Sequence, residues 1–167
     1  MSLIYILDGY NIIQSGPDEL LSRGTLQAKR QYLLELLVVF LNSGDAGKSV
    51  TVVFDGPETV EYFGTNASFS DYRGVRVIFS EGSTADSRIV ELISGSRRSG
   101  ETVVVTNDKG LRRRAAGTGV KFMGVDEFAV KILPKTPRVN PGLSAMAEPD
   151  DAQSINEELE NIWLKKK

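Results

Sequence analysis

A chain of 167 residues, 41% apolar and 25% charged, has the balance of a globular domain with a core large enough to fold alone. It contains no cysteine and no histidine. That excludes disulfides, thiolate zinc sites, cysteine nucleophiles, Ser-His-Asp catalysis and imidazole ligation. Any catalysis must draw on carboxylates, amides, hydroxyls, Lys and Arg, a set suited to hard cations such as Mg²⁺ or Mn²⁺.

The net charge of −2 argues mildly against nucleic-acid binding, but the charge is unevenly spread. From Arg88 to Lys121 eight basic and three acidic residues leave a local +5, whereas Glu148 to Lys167 carries −3. A phosphate-binding face is compatible with that pattern. The early apolar run, Leu3 to Leu7, is too short to cross a bilayer and lacks the flanks of a secretory signal, so a cytoplasmic protein is expected, with no membrane partner.

In chain order, Leu3 to Leu7 reads as a buried strand ending at Asp8-Gly9, and Thr25 to Leu41 as a helix. Val50 to Phe54, Val75 to Phe79 and Thr102 to Val105 read as further buried strands, with a helix over Ala85 to Ser94. Lys109 to Ala116 is expected to be helical, followed by a short strand at Val120 to Phe122 and a helix near Asp126 to Ile132. Strands apolar throughout and alternating with helices predict an α/β fold, a mostly parallel sheet covered on both faces. Gly56 to Gly74 breaks the rhythm and reads as a long connection or a weak helix.

A domain over residues 1–133 is therefore expected, then a linker over 134–149, where four prolines fall between Pro134 and Pro149. Residues 150–167 would hold an amphipathic helix opened by the capping box Ser154-Ile-Asn-Glu157, with Ile155, Leu159, Ile162 and Trp163 on one face. That helix could dock on its own domain, on a second copy or on a partner.

Nearly every predicted strand ends in a carboxylate. Asp8 follows the first strand, with Asn11 three residues on; Asp55 follows the second; Asp86 opens the helix after the third; Asn107-Asp108 follows the fourth. Parallel strands would bring all of these to one sheet edge, where open α/β proteins bind ligands. Each alone has an ordinary explanation as a helix cap or turn residue, Asp55-Gly56-Pro57 most of all. Together they would repel one another unless a cation or proton lay among them. One or two divalent ions held by carboxylates supply what phosphodiester hydrolysis requires. Asp8, Asp86 and Asp108 are the candidate metal ligands, directly or through water, and Asn11 a neutral donor to a water or a phosphate oxygen.

Leu7-Asp8-Gly9-Tyr10-Asn11 resembles the signature of the NYN domain, in particular its YacP-like bacterial branch. Val53-Phe54-Asp55-Gly56, Ser83-Thr84-Ala85-Asp86 and Val105-Thr106-Asn107-Asp108 are similar to that branch's later motifs in order and spacing, and the resemblance covers residues 1 to about 133. It implies a PIN-like nuclease fold, acidic residues that bind Mg²⁺ or Mn²⁺, and cleavage of RNA, expected to be endonucleolytic, in bacterial RNA metabolism. By the same resemblance Asp8, Asp86 and Asp108 map to metal-binding acids, and Asn11 and Asp55 to supporting positions; Asn107 is a further supporting candidate. RNA is the implied partner, free or presented by the ribosome or another RNA-presenting complex. The family often has a second acid after the Asp86 position, where this chain has Ser87, so the number of ions is left open. Glu91, about 140° further round a helix, is a poor substitute.

Arg112, Arg113, Arg114, Arg97 and Arg98 are candidate phosphate contacts. Arg112 could equally pair with Asp108 four residues earlier, and Arg97-Arg98 could simply complement a helix dipole. Tyr62, Phe63, Phe69 and Tyr72 could stack unpaired bases or pack against the domain. Three rival functions remain. A non-catalytic RNA-binding or scaffold module would keep the fold without the chemistry. An aspartyl phosphatase would require a second Asp where Tyr10 stands. A nucleotide-binding enzyme would require a glycine-rich phosphate loop, and none follows any strand.

Overall fold

A computed structural model of the chain describes residues 2–44, 47–56 and 69–133. The chain divides into two compact units, Met1–Pro134 and Lys135–Lys167, and every described residue belongs to the first. The linker and helix expected beyond residue 133 lie outside the described residues, as do the side chains of Tyr62, Phe63 and Phe69.

The elements run β1 (Ile4–Asp8), α1 (Gly9–Ser15), α2 (Asp18–Leu21), α3 (Leu26–Asn42), β2 (Ser49–Phe54), β3 (Phe69–Tyr72), β4 (Val75–Phe79), α4 (Ala85–Ser94), β5 (Thr102–Val105), α5 (Lys109–Arg114), β6 (Lys121–Met123) and α6 (Val125–Ile132). The six strands form one sheet in the order β3-β4-β2-β1-β5-β6. All neighbouring pairs are parallel except β3 and β4. The α/β class and the mostly parallel sheet expected from the apolar runs are observed.

Strand alternation divides the core into two layers. Tyr5, Leu7, Val50, Val52, Phe54, Val77, Val103 and Val105 point to one face and pack with Ile12, Leu33, Leu37, Phe40 and Phe128 of α1, α3 and α6. Ile6, Val53, Ile78 and Val104 point to the other and pack with Ala85, Ile89, Ile93 and Leu111 of α4 and α5. Both faces are covered, which is why the strands carry no polar alternation.

Three elements depart from the expectation. The chain turns into α1 directly after Asp8, because the Asp8 carboxylate accepts the Asn11 N–H at 3.2 Å and caps a helix too short to show periodicity. The short α2 follows Pro17. Part of Gly56 to Gly74, expected as a connection or weak helix, is the edge strand β3. Its two-residue turn, Arg73-Gly74, has φ of 52° and 91°, a geometry that matches strand twist and that Gly74 permits at no steric cost.

Gly9 marks where a side chain is forbidden. A Cβ there would run into the Phe54 ring and come within 3.0 Å of Val52 Cγ2, so α1 lies against β2 only because this position is bare. Gly9→Ala is expected to lower stability by about 1–3 kcal/mol, the usual penalty for overpacking a filled core. Thermal or denaturant unfolding of the two proteins measures this; unchanged stability would mean that the helix slides to make room.

Candidate active site

The sheet order reverses between β1 and β5, since the chain builds β2 and β4 on one side of β1 and then crosses to build β5 and β6 on the other. A crevice opens at such a point beyond the carboxyl ends of the strands. It is a cleft of about 360 Å³ lined by Asp8, Tyr10, Asn11, Gln14, Asp55, Thr84, Ala85, Asp86 and Asp108. All four aspartates picked from strand ends therefore share one cavity.

Each carboxylate is placed differently. Asp8 is only 7% exposed; besides capping α1 it receives a long contact from the Thr106 hydroxyl at 3.4 Å. Asp108 caps α5, accepting from the backbone N–H groups of Gly110 and Leu111, the latter at 3.0 Å. Asp55 accepts from the Ser80 hydroxyl at 2.8 Å and from the Ala85 N–H at 3.3 Å, tying the end of β2 to the start of α4. Asp86 is not the cap of its helix: that is Thr84, whose hydroxyl accepts from the Ser87 N–H. Asp86 instead forms an ion pair with Arg114, Nη2 to Oδ2 at 3.2 Å.

The charges are felt at these distances. Burial pushes the Asp8 carboxyl up to about 6, partly offset by the Asn11 N–H and the Thr106 hydroxyl, and the charges of Asp86 and Asp108 add to the rise. Asp86 is also raised, first by burial and then by Asp108, with Arg114 pulling the other way. Even so, among the described residues no three acidic side chains converge closely enough to enclose one ion by themselves.

Asn11 and Asn107 serve as braces. The Asn11 Oδ1 accepts the Asn107 N–H at 2.7 Å and a weaker contact from the Thr106 hydroxyl at 3.4 Å, locking α1 to the loop after β5. Asn107 Oδ1 in turn accepts the Val125 N–H at 3.0 Å and so starts α6.

The basic residues separate. Arg112 does not pair with Asp108; its Nε and Nη2 donate to the Thr106 carbonyl at 3.2 and 2.8 Å, and its guanidinium lies over Phe122. Arg113 is exposed, and Arg114 alone of the three reaches a cleft carboxylate. Arg97 and Arg98 precede the amino end of β5, at the sheet edge opposite the cleft, and Arg98 pairs with Glu101. The structure does not bring these two to the site.

Tyr10, Gln14 and Thr84 line the cleft without having been singled out in the sequence. A helix read from Gly9 onward would have placed Tyr10, Asn11 and Gln14 on adjoining positions of one face. Arg30 of α3 gave no signal at all. Its guanidinium lies 5.1 Å from the Tyr10 ring centre and 5.8 Å from that of Phe54, and it donates to the Tyr10 hydroxyl.

Comparison with known proteins agrees with this fold. Two crystal structures of Rae1 (YacP) from Bacillus subtilis share the fold. One matches with a TM-score of 0.62 and 22% identity, covering 99% of this chain and 81% of that one. The other, a tryptophan-to-leucine mutant, gives 0.61 and 24%, covering 79% and 75%. No curated protein matches the sequence significantly. The model of the YacP-like NYN domain matches residues 5–166, so the match runs well past residue 133, where the resemblance was expected to end. The chain belongs to the YacP-like NYN domain family.

Proposed function

We propose that the protein is a ribonuclease that hydrolyses RNA phosphodiester bonds endonucleolytically with Mg²⁺ or Mn²⁺, in the cytoplasm and in bacterial RNA metabolism. The observation that carries this is the gathering of Asp8, Asp55, Asp86 and Asp108 around one cleft at the switch point of the sheet, in a member of the NYN family. RNA is the partner, and the ribosome or another RNA-presenting complex is a candidate for delivering it. No helix among the described residues is long and apolar enough to cross a membrane.

The donor set fits a hard divalent ion: oxygen ligands only, with Asp86 and Asp108 close enough for their charges to act on Asp8, and Asp108 on Asp86. Their spacing around the cleft suits an ion that keeps several of its waters, as Mg²⁺ does. When bound there, the ion supplies neutralisation of phosphate charge and a more acidic water. The protein's own groups do the rest. The caps at Asp8 and Asp108 fix two carboxylates to helix ends, so that they need not be ordered as the substrate enters. Asn11, braced by the loop after β5, offers its amide hydrogens to a phosphate oxygen or to the attacking water. Tyr10 holds the place where an aspartyl phosphatase would need a second acid, and its hydroxyl is engaged by Arg30.

A second reading, a non-catalytic RNA-binding module, is favoured by one observation: Arg114 already neutralises Asp86. Cleavage of mixed single-stranded RNA distinguishes the two. Activity with Mg²⁺ or Mn²⁺ that disappears in excess EDTA is the expected result; binding without cleavage would support the module.

Asp86→Asn is expected to abolish most cleavage while leaving the fold intact, since Thr84 and not Asp86 caps α4. Added Mn²⁺ should raise the parent's melting temperature by mass action and raise the mutant's less. Near-parental cleavage with undiminished Mn²⁺ stabilisation would remove Asp86 from the reaction.

Asp8 yields a pH signature in the metal-free protein. Its folded pKa of about 6 lies above the ordinary value, so its stabilising contribution is complete below pH ~4 and is lost as pH rises through about 6. Asp8→Asn should therefore match the parent in stability near pH 3.5 and exceed it by about 3 kcal/mol at neutral pH. Denaturant titrations across that range test this; a constant difference at all pH values would contradict it.

A further inference from the structure

Of the four cleft carboxylates, Asp8, Asp55 and Asp108 are held by backbone N–H groups and neutral hydroxyls. Asp86 is held by a charged side chain from another helix. Arg114 occupies the last turn of α5 and reaches across to the first turn of α4. Both side chains are partly open to solvent, Arg114 at 47% and Asp86 at 29%, so the pair can part without unpacking the core. Arg112 does not share this freedom, because its guanidinium is bound to the Thr106 carbonyl.

We propose that Arg114 is a latch on Asp86 that a divalent cation opens, releasing the guanidinium to hold an RNA phosphate beside the cleft. This deepens the ribonuclease reading and rests on it. A doubly charged ion outcompetes a guanidinium for a carboxylate in a site of clustered acids. The released planar fork matches a phosphate in bidentate geometry. Cation and RNA must each break the same ion pair, so whichever binds first spares the other that work. The two ligands are then positively coupled, and the coupling is reciprocal. Arg114 is a positioning residue in the empty protein and a substrate contact in the loaded one.

The test uses the full chain and a mixed-sequence single-stranded RNA, with binding measured in excess EDTA so that nothing is cut. Asp86→Asn frees Arg114 without any metal. It is expected to raise RNA affinity by about two- to fivefold more in the parent background than in the Arg114→Gln background, the size of a partly exposed ion pair. Calorimetry with Mn²⁺ alone should show Arg114→Gln binding the ion about two- to fivefold more tightly than the parent, since its competitor is gone. An equal effect of Asp86→Asn in both backgrounds is mere removal of a negative charge and overturns the latch. Weaker Mn²⁺ binding by Arg114→Gln does the same, because the guanidinium would then be supporting the ion's site. A parent that binds no Mn²⁺ overturns the metal-dependent reading together with the release step. An additive cycle beside normal Mn²⁺ binding overturns the latch alone.

Discussion

Mutual repulsion among carboxylates at the carboxyl end of one parallel sheet is the constraint on which this molecule turns. Asp8, Asp86 and Asp108 come from β1, α4 and the start of α5, and the sheet order leaves them around a single crevice. Folding must hold them there against their own charge. It does so with backbone: the N–H groups at the starts of α1 and α5 are aimed at Asp8 and Asp108, and an ion pair restrains Asp86. Burial, with the neighbouring carboxylate charges adding to it, raises the Asp8 and Asp86 carboxyls above their ordinary range.

The caps also show why a structural role leaves room for the proposed functional one. An aspartate that caps a helix has one oxygen turned to the backbone and another left over. Asp108 spends Oδ1 on two N–H groups, and Asp8 uses Oδ1 for Asn11 while Oδ2 has only the long Thr106 contact. Anchoring by the first oxygen fixes where the second one faces. Asn11 and Asn107 extend the same economy to the neutral groups, linking α1, the β5–α5 loop and α6 through three bonds.

Much of this was legible in the chain. Buried parallel strands announce themselves as unbroken apolar runs, and residues at their carboxyl ends must share an edge, which is why Asp8, Asp55, Asp86 and Asp108 could be grouped before any fold was known. What could not be read depended on local backbone geometry or on contacts distant in sequence. The Arg73-Gly74 turn was hidden because arginine is not a typical turn residue. Thr84 rather than Asp86 caps α4, a choice settled by backbone geometry one or two residues away. Arg112 turns back to Thr106 and Arg114 crosses to Asp86, although all three arginines look alike in the sequence. Arg97 and Arg98 fall at the far edge because they precede a strand instead of following one.

The family assignment and the clustered carboxylates support the proposed nuclease reading, and in that proposal the chemistry hangs on a cation. The most direct measurement is an anomalous difference map from a crystal grown with Mn²⁺. The account predicts a manganese peak between Asp8, Asp86 and Asp108, with the Arg114 guanidinium moved off Asp86. A chain that cleaves RNA in that buffer yet shows no peak in the cleft, its Asp86–Arg114 pair intact, would contradict it.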